Sequence, residues 1–168
     1  MLDFNVDRFP LKAVNPFIST LGSLDGYLSG KMDVTGNIKS PHFNGFVQFD
    51  SALVHVDKIG TTFSFNDGKI PVDSNVINFD NYEIYAANQN PLNVNGKIDV
   101  RNPLEIDVDL AMNADNIQLI GNNRRRGSDV YGKAFVSLDA TAKGDLRFIN
   151  VDANVSIKPQ TNVTYIIP

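Results

Sequence analysis

Leu24-Asp25-Gly26-Tyr27-Leu28-Ser29-Gly30-Lys31-Met32-Asp33-Val34-Thr35-Gly36-Asn37-Ile38 decides the fold class. Leucine, methionine, valine, isoleucine and glycine hold the even positions, while aspartate, lysine, serine, threonine, tyrosine and asparagine hold the odd ones. A helix repeats its apolar positions every three to four residues; strict alternation is the period of a strand with one apolar and one wet face. After Ser40-Pro41 the pattern resumes through Phe43, Gly45, Val47, Phe49, Ser51 and Leu53, and a change of parity near Leu53-Val54 predicts a turn or bulge.

The same signature recurs downstream. Shorter strands are expected at 61–65, 69–72, 76–79 and 82–86, with Asp67-Gly68 as a hairpin signal between the first two. Longer runs follow: Leu92, Val94, Gly96, Ile98 and Val100; then, past Asn102-Pro103, Leu104, Ile106, Val108, Leu110, Met112 and Ala114. Beyond a loop at 121–128 come Val130 to Leu146, then Ile149, Val151, Ala153, Val155 and Ile157, and a last strand at 163–167. Glycines at 26, 30, 36, 45, 96, 132 and 144 interrupt the apolar faces, where they permit bending or close backbone approach. Residues 1–21 read as a short strand and a helical turn near Asn15 to Leu21, with Pro16 in its first turn.

The expected architecture is all-β: a long, bent, folded-over, largely antiparallel sheet, taco-like or a half-open barrel. It forms a single module over 1–168, with 1–21 as an N-terminal segment and 22–168 as the sheet. An apolar face must be covered, either by closure on itself or by a ligand lying in a trough. The residues expected to line that trough are Leu28, Met32, Val34, Val94, Ile98, Leu104, Ile106, Val108, Leu110, Val136, Leu138, Val151 and Val155.

Composition narrows the chemistry. The 168 residues are 42% hydrophobic and 20% charged, ordinary globular values, and the formal net charge of −4 disfavours nucleic acid as a partner. Cysteine is absent, so thiol chemistry is excluded. His42 and His55 lack metal-ligand spacing, and neither a metal nor a cofactor is expected. Gly26 to Met32 fails the phosphate-loop pattern by one residue, and Ser29 is off-centre for a nucleophile elbow. Glu105, Asp107 and Asp109 could be imagined as an acid pair or calcium ligands, but a solvated strand face is the favoured reading. Arg124-Arg125-Arg126 is a basic loop, either solvated or in contact with phosphate headgroups or an acidic partner. An enzyme or carbohydrate-binding sandwich gains support only from the acidic faces and from Tyr27, Tyr82, Tyr85, Tyr131 and Tyr165.

Gly26 to Asn37, Ser40 to Gly45 and Asp129 to Ala134, with the strand starts Asn95-Gly96-Lys97-Ile98 and Lys143-Gly144-Asp145-Leu146, resemble the repeated signature of the TamB (translocation and assembly module) C-terminal domain family. The Asn- and Asp-rich style, Lys69 to Asn75 above all, looks most like members from the Bacteroides group. The resemblance implies a non-enzymatic fragment of a large periplasmic protein, anchored in the inner membrane and working with an outer-membrane assembly barrel of the TamA type. It is similar to AsmA-like, bridge-like lipid-transfer proteins. The implied cargo is phospholipid acyl chains, carried between inner and outer membranes in a hydrophobic β-groove; the alternative is a chaperone for nascent outer-membrane β-strands.

Overall fold

A computed structural model describes residues 2–18, 22–37, 40–102, 104–122 and 130–165. Strands β1 (Leu2–Pro10), β2 (Gly22–Asn37), β3 (Ser40–Val56), β4 (Thr61–Phe65), β5 (Lys69–Asp73), β6 (Val76–Tyr85), β7 (Pro91–Asp99), β8 (Asp107–Asn122), β9 (Val130–Asp145), β10 (Asn150–Ile157) and β11 (Asn162–Tyr165) form one sheet. Every pairing is antiparallel and follows the chain order, with β1 at one edge and β10 and β11 at the other, so the sheet is not a closed barrel. The 3-10 turn Leu11–Val14 and the helical turn α1 (Asn15–Ile18) link β1 to β2. Asn15 fastens this link, its side chain donating to Leu24 O and accepting from Leu24 N.

Two pairs of short strands are halves of longer ones. β4 and β5 lie end to end along β3, with Val56 opposite Thr61 and Gln48 opposite Lys69. Asp67-Gly68 is therefore a bulge and not the expected hairpin: Asn66 Oδ1 accepts from Gly68 N and Asp67 Oδ1 from Ser51 N, which holds the extra residues against β3. The tight hairpin comes one strand later, at Ser74-Asn75, where both residues have positive φ. Likewise β10 and β11 lie end to end along β9, and the Thr161 hydroxyl replaces the ladder at their junction by bonding both N and O of Phe135.

Strands of sixteen and seventeen residues must coil to stay in one sheet, and bulges set where they do so. Arg8, Ser51 and Asn81 take left-handed backbone conformations at register shifts in β1, β3 and β6. The β2–β3 shift sets Ser51-Ala52 against Gly26, two residues ahead of the expected position. On the polar face the crease is stapled: Arg8 pairs with Asp50 and lies over the Tyr27 ring, and Asn95 Oδ1 accepts from Asn81 N. Glycine permits the close strand approach at Gly96, whose φ is 119° and where a Cβ would stand 2.1 Å from Asp109 O.

The regions expected as strands 76–79 and 82–86 are one strand, β6, kinked at Asn81. β8 starts at Asp107, later than the expected Leu104, and runs on to Asn122. The last strand is Asn162–Tyr165; the remainder of its expected span, and Arg124 to Arg126, lie outside the described residues.

Candidate functional site

Directly opposed residues share a face, so the strand register defines the sheet's two surfaces. One row runs Phe4, Met32, Gly45, Val72, Ile77, Ile98, Val108, Gly144, crossing eight strands without a polar side chain. A second runs Ile84, Leu92, Ala114, Leu138, Val155. The apolar face is thus continuous from β1 to β10.

Its burial is uneven. At the centre Ile70, Tyr82 and Val94 pack with Phe49, Phe65 and Met112, and a second cluster gathers Ala86, Ala114, Ile117 and Val136 under Phe63 and Leu119. There the sheet curls until non-neighbours meet: Thr61 Oγ1 donates to Leu119 O, and Gly121 N to Ile59 O. The β6–β7 turn fills the angle, Asn88 and Asn90 both donating to Asn116 O. Toward the edges the same face opens, with Phe4, Val151, Val155 and Ile157 exposed. A wholly apolar cavity of about 150 Å³ lies between Phe4, Val6, Leu28, Met32 and Val47.

Of the residues expected to line a trough, Val94, Val108 and Val136 are buried, and Leu28, Met32, Val34, Ile98, Ile106, Leu110 and Leu138 are half-buried. Val151 and Val155 are exposed on β10. Leu104 does not join them: it projects from the β7–β8 turn, 80% exposed, because the strand begins only at Asp107. Sequence reasoning missed Ile117, which the bulge at Asn116 returns to the apolar face after a change of parity.

Tyr82 brings the polar atom of the central cluster. Its hydroxyl donates to Asn66 O at 2.5 Å, and burial, reinforced by Asp67, pushes the phenol pKa upward, so it stays neutral. Among the described residues no buried side-chain polar atom lacks a hydrogen-bond partner, and no cluster of three or more acids or histidines could hold a metal. His42 and His55 sit near opposite ends of β3, His55 Nδ1 lying 2.9 Å from Thr62 Oγ1.

The opposite face is polar. Asn93 faces Asn113, Asp109 pairs with Lys143 at 3.2 Å, and Asp107 stands between Asp99 and Asp145. Glu105 lies before the strand, so it does not share this row. Arg101 clamps Asp99 and Arg147 clamps Asp145, holding both outer carboxyls of this row down at about 2. Open depressions of about 450, 410 and 670 Å³ on this face have a mixed lining, with asparagine, aspartate, threonine, serine and lysine side chains beside Ala111, Ala114, Ala153 and Pro91.

No curated protein and no solved structure matches the chain. The TamB C-terminal domain matches residues 80–168, and nothing in that match carries the narrower likeness to one bacterial group. The matched span takes in most of β6 and all of β7 to β11. With more than half of its length so matched, the chain belongs to the TamB C-terminal domain family.

Proposed function

We propose that the chain is a non-enzymatic module that shelters phospholipid acyl chains along its apolar face. In this reading it belongs to a periplasmic protein anchored in the inner membrane, working with a TamA-type barrel and moving lipid between inner and outer membranes. The observation that carries the reading is the apolar row crossing eight strands, from Phe4 to Gly144. A face built only to seal a core would be buried throughout; this one leaves large apolar side chains in water at both edges. Acyl chains suit such a surface because they supply apolar area, at about 25 cal/mol per Å² removed from water, and need no polar partner. Native mass spectrometry of the purified protein tests it: phospholipid masses bound in defined ratio are expected, and protein free of lipid under gentle ionisation refutes the reading.

A second reading is favoured by β10, an edge strand with exposed apolar side chains and no neighbour beyond it among the described residues. Such an edge can add a client strand by backbone pairing, as a chaperone of outer-membrane β-strands would.

A further inference from the structure

The two most exposed large hydrophobic side chains among the described residues, Leu104 at 80% and Phe148 at 79%, are not on the sheet's apolar face. They stand on the β7–β8 and β9–β10 turns, which lie at one end of the sheet because Asp107 is paired with both Asp99 and Asp145. Leu146, also exposed, shares the second turn, and its N–H donates to Ile106 O at 2.8 Å, tying one turn to the other. Hydrogen bonds tie the described residues of both turns. Leu104 N donates to Asn102 Oδ1, Glu105 N to Asn102 O, and Phe148 N to Asp145 O. With their backbone so bonded, Leu104, Leu146 and Phe148 stand exposed.

Their charged surroundings repeat. Asp99-Val100-Arg101 and Asp145-Leu146-Arg147 place the arginine two residues after the aspartate, and each guanidinium grips its own carboxylate while its side chain stays well exposed. Glu105 and Asp107 lie close by. The rim therefore presents both signs in fixed positions and no net positive charge.

We propose that these two turns dock on a zwitterionic phospholipid bilayer, with Leu104, Leu146 and Phe148 entering the interface. Apolar side chains at a turn tip gain free energy by leaving water for the acyl boundary. Arg101 and Arg147 are exposed enough to meet phosphates, and the neighbouring carboxylates can meet headgroup ammonium groups, a match that a strongly anionic surface would not offer. The docked end is continuous with the apolar face through Ile98, Val108 and Val151, whereas at the far end β4 and β8 are bonded together. A bilayer at these turns thus meets the sheet at the end away from that closure.

The test is flotation with vesicles of phosphatidylethanolamine and phosphatidylcholine, comparing the wild-type chain with L104S/L146S/F148S. The three positions are exposed turns, so the variant should fold, and its circular dichroism and urea midpoint confirm that. Wild type is expected to float, with little dependence on salt, and the triple variant to lose about tenfold or more in partitioning. Wild type that stays in the dense fraction overturns the proposal, as does a triple variant that floats equally well. A concentration-dependent dimer lost in the triple variant, without vesicle binding, overturns it in favour of a second copy as the occupant. Flotation of a chain that carries no lipid supports docking while removing the acyl-chain reading, so the two can fail separately.

Discussion

Asp substituted at Val155 separates an open lipid face from a dry core. Val155 and Val108 lie on the same apolar surface, but Val155 is 54% exposed on β10 and Val108 is 5% exposed on β8, between Ile98 and Gly144. V108D forces a carboxylate into a site with no partner and should cost about 3–5 kcal/mol, unfolding much of the protein, so it cannot report on cargo. V155D leaves its charge in water and should cost under about 1 kcal/mol of stability. If an acyl chain covers Val155, however, the variant loses the apolar contact and must desolvate the carboxylate. Together these amount to about 3 kcal/mol, or roughly two orders of magnitude in occupancy. S156D is the control, placing the same charge on the opposite face of the same strand, across from Ser137. Urea melts followed by circular dichroism read stability, and native mass spectrometry reads bound phospholipid. The expectation is a folded V155D stripped of lipid beside an S156D that retains it. Equal lipid on wild type and V155D would refute the reasoning, because no acyl chain could then lie over β10.

Other perturbations probe what holds the sheet in shape. Asn75 is 4% exposed in the β5–β6 hairpin, with φ of 66°, its Oδ1 accepting from Phe43 N and its Nδ2 donating to Pro41 O; N75A should cost about 2–4 kcal/mol in urea unfolding, and N75D no less, since it sets a carboxylate oxygen against Pro41 O. G96A sets a methyl group against Asp109 O at a positive φ and should cost at least about 3 kcal/mol, read as lost thermal stability. Asp99 and Asp145, held at about 2 by Arg101 and Arg147, have folded values below their ordinary 3.8. Their contribution is therefore complete above that ordinary value and lost as pH falls through it toward 2, so acid titration of R101Q/R147Q should show a shallower loss than wild type.

Parity along the chain made the strands legible because one face of each is apolar, and that signal survives wherever the register is regular. It fails at bulges. Asn116 turns over the face of β8, so Ile117 falls on the wrong parity and the alternation stops at Ala114 although the strand runs to Asn122. Asp67-Gly68 misleads for a related reason: the residues that suit a hairpin turn also suit a bulge, and only the in-line course of β4 and β5 along β3 tells them apart. Leu104 fits the alternation of its neighbours, yet it precedes the first ladder pair, Asp99 with Asp107, and so stands in a turn. Nor does alternation carry depth. Val108 and Val155 look alike in sequence; their burial differs because β8 has strands on both sides and β10 has one on only one side.

That asymmetry bears on the rival reading. An exposed edge invites pairing unless a bulge, proline or charge blunts it. β1 has such devices: a bulge at Arg8, whose side chain is drawn over Tyr27 to Asp50, and Pro10 at its end. β10, Asn-Val-Asp-Ala-Asn-Val-Ser-Ile, has neither proline nor lysine, and Asp152 is its single charge. The two candidate roles of β10 use different parts of it, since lipid needs its apolar side chains and a client strand needs its outward N–H and C=O groups. Proline scanning of 150–157 exploits this. At alternate positions the N–H points away from β9, so proline there breaks no ladder bond and spares the fold, yet it blocks an added strand. If the edge captures clients, those variants lose capture and keep lipid. If they keep both, strand addition at β10 is ruled out, and the exposed apolar side chains of this edge are left to the acyl chains.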